Sequence, residues 1–326
     1  MRDRIRYIYE DIVDFVREHK VLTVGLIIGF IVFILVLKWV VGVFLAAGDS
    51  YEDVKREHGQ ALTNDPSLKK NMSVLLLGLD KKEAGDSQRA DSIMVVTYDA
   101  YNHKSKTLRI PRDLYVKTDN YEGKINGLYD KEGVDGMMQA VSDYVGVPLT
   151  HYVKTDFDGL ENIIDKIGGI DLNSDIEINK SNNKQVGSDI SVGKGQVHLN
   201  GREALAYSRI RYIDNDIKRG ERQQQVIKAI ARKLTSTESI PNLDSNLQAM
   251  SPYVKSNIKI SDVAKRLSSI HGMPDMKQEG FEWDSFEKDG SDFVMIKDGE
   301  REKISKDLRQ SIGLNPAKLK SLQLKP

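Results

Sequence analysis

The sequence predicts an α/β protein, a sandwich of helices over one main sheet, set behind a single membrane-spanning helix. Three observations predict it. Short apolar runs bounded by turn residues alternate with amphipathic stretches of helical period, the order that produces layered α/β domains. One uncharged apolar stretch near the amino end is long enough to cross a bilayer. The composition, 40% hydrophobic and 29% charged without a repeat of fixed period, is that of a globular chain.

The stretch from Val21 to Leu37 carries no charge and continues apolar past Lys38 and Trp39 to Ala47. Lys38 can snorkel and Trp39 suits the interfacial belt. A cleavable signal peptide is the competing reading, but the apolar region is too long and a charged segment precedes it. Arg2, Arg4, Arg6, Arg17 and Lys20 lie on its amino side, so the expected layout is a cytoplasmic segment at 1–20, a transmembrane helix at 21–47 and the rest outside the cell. Residues 48–72 read as a polar membrane-proximal linker or helix, and 73–326 as the extracytoplasmic domain.

Within that domain, Ser73–Leu79 is a short apolar run closed by Asp80, which reads as a buried strand. Ser92–Asp99 and Thr107–Ile110 read as two more, with a turn at 101–105 between them. Val134–Val145 is amphipathic. Tyr152–Thr155 reads as a strand, and Phe157–Ile167 as a helix with Leu160, Ile163, Ile164 and Ile167 on one stripe. Gly168 and Gly169 end it before a strand at 170–172. After a polar loop at 179–196, Asn200 with Glu203 three residues on predicts a capped short helix. A longer helix spans Arg219–Leu234, two further segments lie at 242–252 and 261–270, and a strand–helix pair covers Phe293–Ile312.

Composition removes several function classes. The 48 Lys and Arg balance 48 Asp and Glu, so no bulk positive charge holds the chain to nucleic acid. The absence of cysteine excludes disulfides, thiolate metal sites and a cysteine nucleophile. The six histidines show no ligand spacing, which leaves a hard cation held by carboxylates as the expected kind of metal. Residues 187–194 (GSDISVGK) miss the phosphate-loop spacing by one, and neither a GxSxG elbow nor a dinucleotide fingerprint occurs.

What remains is a placing of arginines and aspartates beside predicted strand and helix ends: Asp80, Arg89, Asp91, Arg109, Arg112, Arg209, Arg211, Asp216, Arg219, Arg222 and Gln223. On a helix Arg219, Arg222 and Gln223 share a face. Guanidinium groups at strand ends suit phosphate bidentately, and carboxylates among them can hold Mg²⁺ against it. A solvated stripe fits the same spacing, with Arg209, Arg211 and Arg219 paired to Asp214, Asp216 and Glu221, and Asp80 and Asp91 as ordinary strand-end caps.

The blocks LLLGLD (75–80), RADS (89–92), LRIPRD (108–113), KING (124–127), DKIGGIDL (165–172), LNGREALAYSRIR (199–211) and DIKRGERQQQVI (216–227) resemble, in order, the pattern of the LytR-CpsA-Psr family. The motif core runs from 73 to 234. The resemblance implies an α–β–α sandwich with a mixed central sheet and a hydrophobic cleft for a polyprenyl tail. It also implies a membrane-anchored phosphotransferase of Gram-positive bacteria. Such an enzyme moves wall teichoic acid or capsular or secondary wall polysaccharide from undecaprenyl-pyrophosphate to the N-acetylmuramic acid 6-hydroxyl of peptidoglycan.

Carried over by motif, Asp80 and Asp91 would be Mg²⁺-associated carboxylates. Arg89, Arg112, Arg209, Arg211 and Arg219 would hold the pyrophosphate, with Gln223 lining the pocket, and Asp216 would be a candidate base on the incoming hydroxyl. Arg112 and Arg219 would act beside Asp216 in the transfer. Arg109 and Arg222 are further pyrophosphate candidates, although Arg222 could instead face the sheet and pair with a carboxylate such as Asp113. Ala90 replaces the usual Ser and Ser92 the usual Thr, and the link from Arg211 to Asp216 is short, which bears on polymer preference. The expected partners are the lipid-linked glycopolymer, peptidoglycan and the bilayer, without nucleic acid. A polyprenyl-pyrophosphate phosphatase would use the same residues, and a non-catalytic scaffold binding lipid-linked polymer would use many of them. A transcription factor is disfavoured by the span and the neutral remainder.

Overall fold

The strand expected at Ser73–Leu79 is β1 (Met72–Leu79), in which buried and half-buried residues alternate along the whole length. That period-two pattern gives it two different faces. Leu75, Leu77 and Leu79 enter the main core, whereas Val74 and Leu76 lie on the opposite, half-buried face. A computed structural model describes residues 51–53, 68, 71–80, 88–102, 104–179, 189–210, 216–236, 243–258 and 276–319. The chain divides into two units, Met1–Gly48 and Asp49–Pro326. The first, with the apolar stretch, lies outside the described residues, as does the expected helix at 261–270. No helix among the described residues is long and apolar enough to cross a membrane.

β1 pairs antiparallel with β2 (Ala90–Asp99), which pairs antiparallel with β3 (Lys104–Ile110). On its other side β1 pairs parallel with β6 (His151–Asp156), and β6 antiparallel with β9 (Lys255–Ser256). β10 (Met276–Glu279) adds parallel to β3, completing a mixed six-stranded sheet of order β10-β3-β2-β1-β6-β9. β1, β3, β6 and β10 therefore run one way and β2 and β9 the other. The carboxyl ends of the first set and the amino end of β2 share one end of the sheet. Tyr51 bridges Ser256 in parallel, so part of the expected linker is an added edge of this sheet.

β4 (Tyr115–Lys117) and β5 (Glu122–Lys124) form a small ribbon leading into α1 (Ile125–Val145). The helix expected at Val134 begins earlier, because Gly133 with φ 63° and ψ −156° breaks the apolar period and joins two helical pieces at a kink. α1 and α6 (Glu300–Ser311) cover one sheet face, with Met137, Val141, Ile304 and Leu308 packed against Leu75, Ile93 and Val95. Asn71 closes this layer: its Nδ2 donates to Ile312 O at 2.9 Å and its Oδ1 accepts from Ala100 N at 2.9 Å.

A second core cluster gathers α2 (Phe157–Lys166), the hairpin of β7 (Ile170–Ser174) and β8 (Gly195–Leu199), α3 (Gly201–Arg209) and α4 (Asp216–Leu234). α3 starts with the expected box: Asn200 Oδ1 accepts from Glu203 N at 2.9 Å, and Glu203 Oε2 from Asn200 N at 3.0 Å. Replacing Asn200 with alanine is expected to cost about 1 kcal/mol, measured by urea unfolding. Between the two helical groups come α5 (Leu243–Met250), a 3₁₀ turn at Ser251–Tyr253, and the hairpin of β11 (Trp283–Lys288) and β12 (Ser291–Ile296).

Candidate active site

Asp80, Arg89, Asp91 and Arg112 lie in or beside the ends of β1, β2 and β3 where these meet at one end of the sheet. Asp80 follows β1, and its Oδ1 accepts from Arg89 N at 2.6 Å while its own N–H donates to Arg89 O at 3.0 Å. Gln88 Nε2 adds a bond to Asp80 O at 3.1 Å. The end of β1 and the start of β2 are thus tied together through backbone and carboxylate.

Asp91 owes its place to a bulge. Leu79 pairs with Ala90 but Gly78 with Ser92, so Asp91 is the extra residue in β2. The burial phase shifts there, with Asp91 and Ser92 both half-buried between buried Ala90 and Ile93. A bulge bends the strand and re-aims the side chain. A β-carbon on Gly78 would lie 2.9 Å from Ser92 Cβ, so the close strand approach at this point needs glycine.

Arg112, just past β3, meets Asp91 Oδ1 through Nη1 at 3.2 Å. Its buried Nε has no hydrogen-bond partner, and Asp113 Oδ2 lies 3.6 Å away. The other oxygen of Asp113 takes Lys124 Nζ at 2.9 Å. Asn126 N donates to Arg112 O at 3.2 Å, which ties the start of α1 to this turn. Lys124 and Asn126 come from the KING block but were not among the expected site residues; a cation at a strand–helix junction was the available signal.

The remaining arginines belong to the second helical group, except Arg109, which meets that group from β3. Arg209 is exposed at the end of α3, with its guanidinium 4.6 Å from the Phe157 ring centroid. Phe157 opens α2 directly after β6, so the aromatic platform comes from the same end of the sheet. Arg109 projects from β3 onto α4, where a β-carbon on Gly220 would lie 2.5 Å from its Cδ and Nε. Arg219 is 4% exposed. Gln223 Nε2 reaches Ser208 O at 3.5 Å. Arg211 and the side chain of Asp216 lie outside the described residues.

Arg222 is fully buried. Its Nε donates to Tyr207 O at 3.1 Å and its Nη2 to Ile210 O at 3.0 Å. It therefore caps the last turn of α3 with positive charge, where helix carbonyls lack partners.

The ribbon beside the site carries its own charge cluster. Lys117 Nζ meets Glu122 Oε2 at 2.8 Å, Lys288 Nζ meets Oε1, and Tyr115 Oη donates to Oε1 at 2.7 Å. The hydrogen bonds from Lys117, Lys288 and Tyr115 hold the Glu122 carboxyl at about 2. A depressed carboxyl contributes stability above its unfolded value of 4.5 and loses it as pH falls from there through about 2. An NMR titration should place the Glu122 midpoint near that low value, and Lys117→Met should raise it.

Among the described residues no three His, Cys, Asp or Glu side chains gather as a metal cluster. The pair Asp80 and Asp91 nevertheless fits Mg²⁺, which takes one or two carboxylates and completes its shell with water and substrate phosphates. Among the described residues, Oδ1 of Asp80 and Oδ1 of Asp91 are the carboxylate oxygens engaged, which leaves Oδ2 of each for a cation.

A mixed α/β domain that collects guanidinium groups and carboxylates at one end of its central sheet places them where such folds bind their ligands. The chain belongs to the LytR_cpsA_psr family, whose profile matches residues 39–310. It is 35% identical over 226 residues to the polyisoprenyl-teichoic acid–peptidoglycan teichoic acid transferase TagV of Bacillus subtilis, covering 67% of this chain and 58% of TagV. The chain thus spans less than two thirds of that relative's length. TagU of Enterococcus faecalis, a transferase of the same description, is 30% identical over 81% of this chain and 86% of its own. The crystal structure of B. subtilis TagV superposes with a TM-score of 0.68 at 29% identity, covering 76% of this chain and 99% of that one. A structure of TagT bound to LIIa-WTA gives 0.65 at 26% identity, covering 77% and 93%.

Proposed function

We propose that this chain is a membrane-anchored phosphotransferase. It moves a glycopolymer such as wall teichoic acid from an undecaprenyl-pyrophosphate carrier to the N-acetylmuramic acid 6-hydroxyl of peptidoglycan. The observation that carries the reading is the meeting of Asp80, Arg89, Asp91 and Arg112 at one end of the sheet, in a family whose named relatives are teichoic acid transferases. The half-buried apolar face of β1 and β2, with Val74 opposite Val96, supports a place for the polyprenyl tail.

In this reading Arg89, Arg112, Arg209, Arg211 and Arg219 neutralise the diphosphate, and Gln223 and Arg109 line the same pocket. Arg209 keeps its plane on Phe157 while its edge turns to phosphate oxygen. Asp216 orients the muramyl hydroxyl and takes its proton. The hydroxyl oxygen bonds to the sugar-linked phosphorus, the bridging P–O bond breaks, and undecaprenyl phosphate leaves. Mg²⁺ held by Asp80 and Asp91 would supply charge stabilisation to the phosphate oxygens. Arg222 acts from behind by fixing the end of α3 that carries Arg209.

The accompanying layout is a cytoplasmic segment at 1–20, a span at 21–47, a membrane-proximal stretch at 48–72 whose Tyr51 adds to the sheet edge, and an extracellular catalytic domain at 73–326. The test uses the full chain in detergent with Mg²⁺, a lipid-diphosphate-linked saccharide and undecorated peptidoglycan oligomers. Mass spectrometry should find a phosphodiester-linked product. Release of phosphorylated saccharide alone would instead identify a phosphatase, and tight binding without turnover a scaffold.

A further inference from the structure

The groups around Arg112 form a chain of alternating charge. Asp91 holds its Nη1, Asp113 lies against its Nε, and Asp113 also holds Lys124. Two cations and two carboxylates cancel. The side chains of Arg112 and Asp91 are 25% and 30% exposed, so water compensates only in part when the pair separates. The bulge fixes the backbone that carries Asp91 beside Arg112.

Each group therefore needs a new partner at the same time. A diphosphate that arrives alone takes Arg112 and leaves Asp91 facing phosphate oxygens, charge against like charge. A divalent cation that arrives alone takes Asp91 and leaves Arg112 facing the metal. When both arrive, carboxylate pairs with metal and guanidinium with phosphate, and no charge is stranded. Discrimination of this kind comes from the penalty imposed on the wrong ligand.

We propose that the Asp91–Arg112 ion pair is a specificity filter that accepts a diphosphate only in company with a divalent cation and disfavours the bare anion. The inference rests on the functional reading above and adds a role for Asp91 in the absence of metal, as the group that excludes metal-free anions. Metal and diphosphate then bind with positive coupling, equal in both directions.

Isothermal titration of the full chain in detergent with inorganic pyrophosphate tests this, with Mg²⁺ and with EDTA. Wild type should bind at least about ten-fold more tightly with the metal, within the usual range of coupling between ligands. Asp91→Asn, which preserves shape, should bind metal-free pyrophosphate about ten-fold more tightly than wild type does. Asp113→Asn removes the same charge from the other side of Arg112. It should tighten metal-free binding less and leave the Mg²⁺ dependence in place.

An unchanged or weaker metal-free affinity in Asp91→Asn overturns the filter, and so does a rise matched by Asp113→Asn, which would reflect charge count alone. Wild type that binds equally with and without Mg²⁺ also overturns it while leaving the transferase reading intact. Wild type that fails to bind pyrophosphate even with Mg²⁺ sinks the functional reading itself.

Discussion

Replacing Arg112 with alanine is expected to lower polymer transfer by roughly a hundred- to a thousand-fold, the usual cost of removing one donor aimed at developing charge. The loss should appear mainly in kcat, because the bridging oxygen gains its charge as the P–O bond breaks. Stability should change little, since the side chain is partly exposed and its neighbours Asp91 and Asp113 can reach water. The check is steady-state kinetics beside a thermal melt. A variant that melts like wild type and transfers polymer at the wild-type rate would remove Arg112 from the site.

Arg222→Ala should behave in the opposite way. Two carbonyls at the end of α3, Tyr207 O and Ile210 O, lose their buried donor, and the guanidinium that lies 5.9 Å from the Tyr207 ring disappears. At about 1–3 kcal/mol for each stranded acceptor the cost is roughly 3 kcal/mol or more. In a domain of this size that lowers Tm by roughly 6–12 °C. Arg222→Lys should recover only part, since one ammonium cannot match a fork that spans two carbonyls. A large rise in KM at unchanged Tm would instead mean that Arg222 touches substrate.

These two arginines also mark how far the residues alone could be read. Arg112 and Asp91 were legible as site candidates because each sits at the end of an apolar run, and strand ends in such folds face ligands. Their direct contact was not, since it depends on the bulge, which changes the face of Asp91 without changing the hydrophobic pattern around it. Arg222 carried no sequence mark of its burial: a 3.6-residue period groups it with Arg219 and Gln223, and only the packing of α3 against α4 gives it carbonyls to cap.

Among the elements, β1 was plain as an unbroken apolar run closed by Asp80, and α2 because its apolar residues keep one helical stripe. The first turns of α1 were hidden by the glycines at 127 and 133. The β11–β12 hairpin was missed in its first strand, although Asp289 and Gly290, with φ 52° and 73°, are the pair that a tight two-residue turn requires.

The tie from Asn71 to Ile312, separated by 241 positions, has a consequence for how the domain comes into being. The cover of β1's core face is complete only when α6 joins α1, and β3 waits for β10 to cover its outer edge. Contacts of such range make folding slow and leave little native structure to form on a partial chain. In the proposed layout, where the amino end stays cytoplasmic, the residues after the span emerge first, and this core layer is completed only when the carboxyl-terminal helix follows.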